Sequence, residues 1–324
     1  MFHGLMRTGL WASALVAALI GTPFSPAHAE DYPSRPITLI VPYPPGGGVD
    51  LIGRLVAQKL TAALGQQVIV ENRGGAGGMI GTRDIAKATP DGYTLGVGTS
   101  GISLSPNAGY DVNKDFSPIG LIASTPILIV AHPSFPAKSL TDVIALAKQQ
   151  PGKLSAGTPP APTINYFAAR LFNLAAGVDI TVVTYKGTAA LTNDVLGNHV
   201  PLGFDTIPAA VSNVQAGQLR AIAVTGPTRS AALPEVPTAA ESGLPGFDAM
   251  LYYGLSAPAG VPRPIIDRLN KELRTMLADE DFKKHLVSVG DDPAPSTPEQ
   301  YADNIKREEA KWSGLVAKLG LKLE

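Results

Sequence analysis

The densest group of chemically informative residues is the run Pro42-Tyr43-Pro44-Pro45-Gly46-Gly47-Gly48-Val49-Asp50, which joins an apolar stretch to an amphipathic one. Consecutive glycines let the backbone approach a ligand closely. A helix starting there presents unpaired N–H groups and the positive end of its dipole. Such a loop holds an anion without lysine or arginine, so Tyr43, Pro45, Gly46, Gly47 and Gly48 are its candidate contacts. Asp50 is expected to cap the helix, because a carboxylate beside a bound anion would repel it.

Comparable junctions recur further along the chain. Thr99 and Ser100 follow the apolar run Tyr93–Val97 and offer hydroxyls at a strand end, where α/β folds collect ligands; they serve equally as turn residues. Gly157-Thr158-Pro159-Pro160-Ala161-Pro162-Thr163 lies between a strand and a helix, with Thr163 either an N-cap or a ligand donor. Tyr185-Lys186-Gly187-Thr188 repeats the arrangement, and Lys186 either pairs with a carboxylate or stands in solvent. Asp205 ends another strand, where it accepts a hydrogen bond from a ligand or caps a helix beginning at Ile207.

Catalytic chemistry finds little footing. His132, His199 and His285 stand in separate segments, outside any HExxH or other metal-ligand spacing. The run Gly98-Thr99-Ser100-Gly101-Ile102 misses the GxSxG nucleophile pattern at its last position. No phosphate-binding GxxxxGK[ST] occurs, since Gly152-Lys153 is followed by Leu154. Gly96, Gly98 and Gly101 match GxGxxG, but Pro106 interrupts any helix after them. The chain has no cysteine, which excludes disulfides, thiolate nucleophiles and cysteine-held zinc. What remains is binding without chemistry, with no cofactor expected.

Composition agrees. The 324 residues include 34 glycines and 29 prolines, well above ordinary usage, with no collagen period. With 45% hydrophobic residues and a net charge of -1 the chain is neither disordered nor built for nucleic acid. The elements that must position these loops follow from periodicity. Apolar runs at 37–42, 68–71, 93–97, 127–132, 154–156, 181–185, 202–205, 221–225 and 252–257 read as strands. Amphipathic segments at 50–64, 79–88, 140–150, 165–174 and 188–196 read as helices between them, and 265–277, 281–289 and 299–319 as helices near the end. Leu51, Leu55, Val56, Leu60 and Leu64 are expected on one face of the first helix. The alternation predicts an α/β fold in two domains, crossed near 120–126 and again near 226–236. The proposed division is 30–125 plus 236–324 against 126–235.

The amino terminus carries Arg7, the apolar run Leu10–Ile20, and Ala27-His28-Ala29. This is the pattern of a cleaved secretory signal peptide over residues 1–29, with the mature chain beginning at Glu30.

The chain resembles the Bug family, the extracytoplasmic solute-binding receptors of tripartite tricarboxylate transporters. The resemblance rests on an ordered series: Tyr32–Ile37, Ile40–Gly47 with Asp50, Val70–Arg73 with Gly75–Gly78, Pro90–Leu95, Pro151–Leu154, Tyr185–Gly187, Leu219–Ala221, Gly243–Gly246, Tyr253–Leu255 and Ala257-Pro258. It implies a two-domain type II periplasmic binding protein, a Venus flytrap with a two-stranded hinge. It also implies a small organic acid as ligand, a membrane permease as partner, and a monomer. On this resemblance Pro44–Gly47 takes one carboxylate, while Gly157–Thr163, Tyr185–Thr188 and Asp205 approach from the second domain. The family's histidine in the second-domain loop falls near Asn165 or Tyr166, which adds Asn165 to the implied contacts. Tyr43 replaces the usual phenylalanine, and Val182-Val183-Thr184 replaces the usual His-x-Pro. A periplasmic co-sensor for a membrane signalling protein would share this fold.

Overall fold

In a computed structural model of the chain, the residues described are 32–101 and 108–320; the expected signal peptide, 1–29, and Pro106 lie outside them. Strands β1 (Ile37–Val41), β2 (Val68–Asn72) and β3 (Thr94–Thr99) form a parallel set in the order β2-β1-β3. Strand β9 (Met250–Pro258) adds antiparallel to β3, and β4 (Phe116–Ala131) adds antiparallel to β9. The short β10 (Asp292–Pro293) pairs with β4 as well. Their inward residues, Ile37, Leu39, Leu95, Val97 and Leu255, are all fully buried, as both faces of such a sheet demand.

Strand β4 is 16 residues long and changes partners along its length. Its residues up to Pro126 pair with β9, and Ile127–Ala131 pair with β7 (Leu202–Thr206). On its other edge this second part pairs with β8 (Arg220–Val224). Beyond β7 come β5 (Ser155–Thr158) and β6 (Thr181–Thr184), both parallel. From its apolar run the sequence predicts this strand only from Ile127, because Pro118, Gly120 and Pro126 interrupt the earlier part. The structure accommodates them with register shifts at Pro118/Gly120 and at Leu121/Ala123.

The chain returns to the first sheet at β9. The proline-rich stretch before it stays attached to the second sheet, since Ala239 N–H donates to Val224 and Ala249 N–H to Thr225. Thr225 closes this junction: its hydroxyl donates to Ala249 and accepts from the Ile127 N–H, at 2.6 and 2.8 Å.

The helices between strands are α1 (Gly48–Leu64), α2 (Met79–Ala86), α3 (Leu140–Gln149), α4 (Ile164–Ala176), α5 (Thr188–Leu196) and α6 (Ile207–Gln215). Three more, α7 (Arg263–Ala278), α8 (Glu280–Ser288) and α9 (Pro298–Leu319), follow β9. Helix α1 buries Val49, Ile52, Val56, Leu60 and Leu64, whereas Leu51 is exposed, so the core face is rotated from the one expected. The buried residues 52, 56, 60 and 64 recur at i, i+4 and so share one face, the one the sheet covers.

Candidate functional site

The sequence directs the first parts of α1, α4, α5 and α6 toward one space, because each follows the carboxyl end of a parallel strand or its loop. Between them lies a cavity of 530 Å³. The loop before α1 reaches it through Pro44 and Pro45, and Gly46 turns the chain at φ +84°, a conformation that favours glycine. Gly47, extended, takes the N-cap position and brings no side chain to it. The Gly47 carbonyl accepts from Asp50 and Leu51, which leaves the N–H groups of Gly48 and Val49, both on the cavity wall, without intrahelical partners.

Asp50 is not the N-cap. It stands in the first turn and reaches back, accepting from the Gly46 N–H at 2.9 Å, from Arg54 at 3.0 Å and from the Asn72 amide at 2.9 Å. Burial works to raise its carboxyl, but the hydrogen bonds from Arg54, Gly46 and Asn72 outweigh this and hold it below the usual value. The acid therefore fixes the glycine loop from behind. Asn72 also donates to the Tyr43 carbonyl, and the Tyr43 hydroxyl bonds to Thr99 at 2.8 Å. Burial pushes that phenol up to about 12, against the lowering effect of Thr99.

The opposite wall is made by three more helix starts. Thr163 caps α4 by accepting from the Tyr166 N–H, and its hydroxyl donates to Pro160 at 2.8 Å. Asn165 donates to the Phe204 carbonyl at 3.0 Å. Gly187 is the N-cap of α5 and Thr206 that of α6, neither with a side-chain cap. Gly187, Thr188 and Thr206 all line the cavity. Lys186 lines it too and is the only charged side chain on that wall among the described residues. The field inside is that of several positive helix ends and one ammonium, with no carboxylate on the lining among the described residues.

Of the residues singled out from the sequence, Tyr43, Pro45, Gly47, Gly48, Thr99, Thr163, Asn165, Gly187 and Thr188 line this one cavity. Six do not. Gly46 is spent on Asp50. The Ser100 hydroxyl accepts from the Tyr252 N–H and faces a separate small cavity. Gly157 and Thr158 are buried in β5, where Thr158 donates to Pro159. Tyr185 packs beneath Gly157 and against the core of the second sheet. Asp205 is fully buried behind the wall and does not cap α6, whose N-cap is Thr206.

Asn72, the turn Gly74–Gly78, Thr206 and Leu251 also line the cavity and are not among the contacts expected from the sequence. Asn72 and Thr206 are the last residues of β2 and β7, so the strand-end rule applied to every strand would have found them. Leu251 gave no such signal, because β9 is antiparallel and contributes its amino-terminal end.

Comparison with known proteins fits this geometry. Residues 52–321 match the family described as "Tripartite tricarboxylate transporter family receptor". The periplasmic binding protein BugD is 34% identical, covering 90% of this sequence against 99% of its own structure, with a TM-score of 0.85.

 The R. palustris protein Rpa4515, solved with adipate, is 34% identical over 90% of this chain and 99% of its own, at a TM-score of 0.87. MatC from Rhodopseudomonas palustris, solved with bound malate, is 32% identical over 88% and 100%, at 0.83. These neighbours are solute receptors rather than enzymes, and the helix starts that wall the cavity suit the same task. On its fold and its match over residues 52–321, the chain belongs to the tripartite tricarboxylate transporter receptor family.

Proposed function

We propose that this chain is a periplasmic receptor that captures a small organic carboxylate and delivers it to a membrane permease of the tripartite tricarboxylate type. The observation that carries this reading is the cavity wall, where the starts of α1, α4, α5 and α6 converge and Lys186 is the only charged side chain among the described residues. Backbone N–H groups and helix dipoles recognise a carboxylate, and the remaining shape selects what it is attached to. The adipate in Rpa4515 and the malate in MatC make short dicarboxylates the first candidates.

The two sheets act as lobes that close on the ligand. We draw their boundary at Pro126/Ile127 within β4 and, on the return leg, at Ala249/Met250 rather than near 236, because bonding to Thr225 extends to Ala249. Bending at these two crossings is the ordinary hinge solution for such receptors. Leu10–Ile20 and Ala27-His28-Ala29 direct export, with cleavage after Ala29, and the mature chain works as a monomer.

A thermal-shift screen of the mature chain against adipate, malate, other mono-, di- and tricarboxylates and neutral diols tests the reading. An acid at a hundredfold its Kd adds about 2.7 kcal/mol of stability. A panel in which no acid raises Tm, or in which the diols do so equally, overturns it.

A further inference from the structure

Behind the cavity wall, the Thr192 hydroxyl stands between two acceptors. The Thr192 hydroxyl on α5 lies 2.5 Å from Asp205 Oδ2 and 2.9 Å from the Thr188 carbonyl. A hydroxyl has one proton to donate, and both of these neighbours accept if the carboxyl is ionised. A protonated Asp205 resolves the conflict. Its Oδ2–H donates to Thr192, Thr192 donates to Thr188, and Oδ1 accepts from the Thr206 N–H at 2.8 Å. Every group in the chain is then satisfied.

The surroundings favour the same state. Asp205 is fully buried and Thr192 nearly so, and among the described residues no lysine, arginine or histidine forms an ion pair with Asp205. A buried carboxylate without a cation is costly and takes up a proton instead. Leu128 of β4 lies opposite Asp205 and is apolar, Gly157 of β5 pairs with the neighbouring Gly203, and α6 contributes the Thr206 N–H and Ile207. The titratable group nearby is Tyr253 of β9, whose phenol is raised by burial, by Asp291, by Asp205 and by Tyr43. Asp291 is itself buried and pushed well above the usual carboxylate range by burial and by Asp292. All of these are neutral or acidic. Burial carries the Asp205 carboxyl up to about 7, against the lowering effect of Thr192 and Thr206.

The two ends of this chain of hydrogen bonds, Thr188 and Thr206, both line the cavity. Ionising Asp205 would pull the Thr192 proton away from the first turn of α5 and place a full negative charge one residue behind the wall. We propose that Asp205 is a positioning residue whose neutral form is the ligand-competent one, so that the receptor takes up a proton when it binds a carboxylate near neutral pH. This rests on the receptor reading only for the identity of the ligand.

The test compares the mature wild-type chain with Asp205→Asn, which keeps the acceptor for Thr206 and the donor for Thr192 but cannot ionise. Without ligand, carbon-13 NMR of chains labelled at the aspartate carboxyl carbons, from acid to mildly alkaline pH, is expected to show a signal titrating near neutrality that vanishes in Asp205→Asn. With adipate as probe, calorimetry in buffers of different ionisation enthalpy is expected to show proton uptake by the wild type and none by Asp205→Asn. Wild-type affinity falls as pH rises above about 7, at most tenfold per pH unit for one linked proton, and the variant's does not. An Asp205 that titrates as an ordinary carboxylate, an equal pH slope in both chains, or an Asp205→Asn chain that cannot fold overturns the proposal. If adipate does not bind, the choice of ligand fails while the NMR titration still decides the state of Asp205.

Discussion

Gly47 and Thr188 face each other across the cavity so closely that a Cβ on Gly47 would lie 2.5 Å from Thr188 Oγ1. Gly47 has φ -91°, so its backbone is open to any residue and the constraint is contact alone. Gly47→Val is therefore expected to fold with a nearly unchanged Tm and to lose at least tenfold in carboxylate affinity, about 1.4 kcal/mol. Calorimetric titration checks this, and pairing Gly47→Ala with Thr188→Gly is expected to recover much of the loss.

Asp50 holds the glycine loop through Gly46, Arg54 and Asn72. Asp50→Ala leaves these donors unmatched and is expected to cost about 1–3 kcal/mol in urea unfolding. Its folded carboxyl sits below the usual value, so the stabilisation is present above the ordinary carboxylate range and is lost as pH falls through the folded value. The wild-type advantage over Asp50→Ala is expected to shrink in acid.

Asp205 gives the opposite sign. Its value rises from 3.8 to about 7 on folding, so its contribution is complete below the unfolded value and is lost as pH rises through the folded one. Relative to the wild type, Asp205→Asn is expected to gain stability from about pH 4 to about pH 7, by at most roughly 4 kcal/mol. Chemical unfolding of both chains at each pH measures the difference.

Lys186 is exposed although it lines the cavity. An exposed ammonium contributes modestly and is screened by salt. Lys186→Gln is expected to weaken carboxylate binding by about two- to fivefold at low salt, roughly 0.4–1 kcal/mol. The difference should disappear at high ionic strength in the same titration.

The Tyr253 hydroxyl is buried beside Gly48 and has no hydrogen-bond partner among the described residues. Removing an unpaired buried hydroxyl relieves a desolvation cost. Tyr253→Phe is expected to leave stability unchanged or raise it by up to about 1–2 kcal/mol. A loss of more than about 1 kcal/mol would show that this hydroxyl is bonded after all.

Much of the scaffold was legible in the sequence because it depends on local pattern. The runs that became β1, β2, β3 and β7 are short and apolar, the last three followed by asparagine, glycine and threonine, and α1 shows a clear four-residue spacing. The first part of β4 was not legible, since Pro118, Gly120 and Pro126 look like loop residues until β9 and β10 supply the partners that absorb its bulges. The rotation of α1 toward Ile52 was hidden for a related reason. Leu51 and Ile52 are equally apolar, and only the sheet beneath decides which is covered.

By itself, the sequence determined the α/β class and the loops rich in glycine and proline, because backbone freedom and hydrophobic period are properties of neighbouring residues. It left the role of Asp205 open. The tertiary structure set Asp205 behind the wall, with Thr192 and Thr206 as partners and without a cation, because these groups come from α5, β7 and the start of α6. It also brought Asn72, Thr206 and Leu251 to the same cavity as Gly47 and Thr188. Those meetings depend on strand order and on where β4 changes partners, and no local pattern in the chain encodes either.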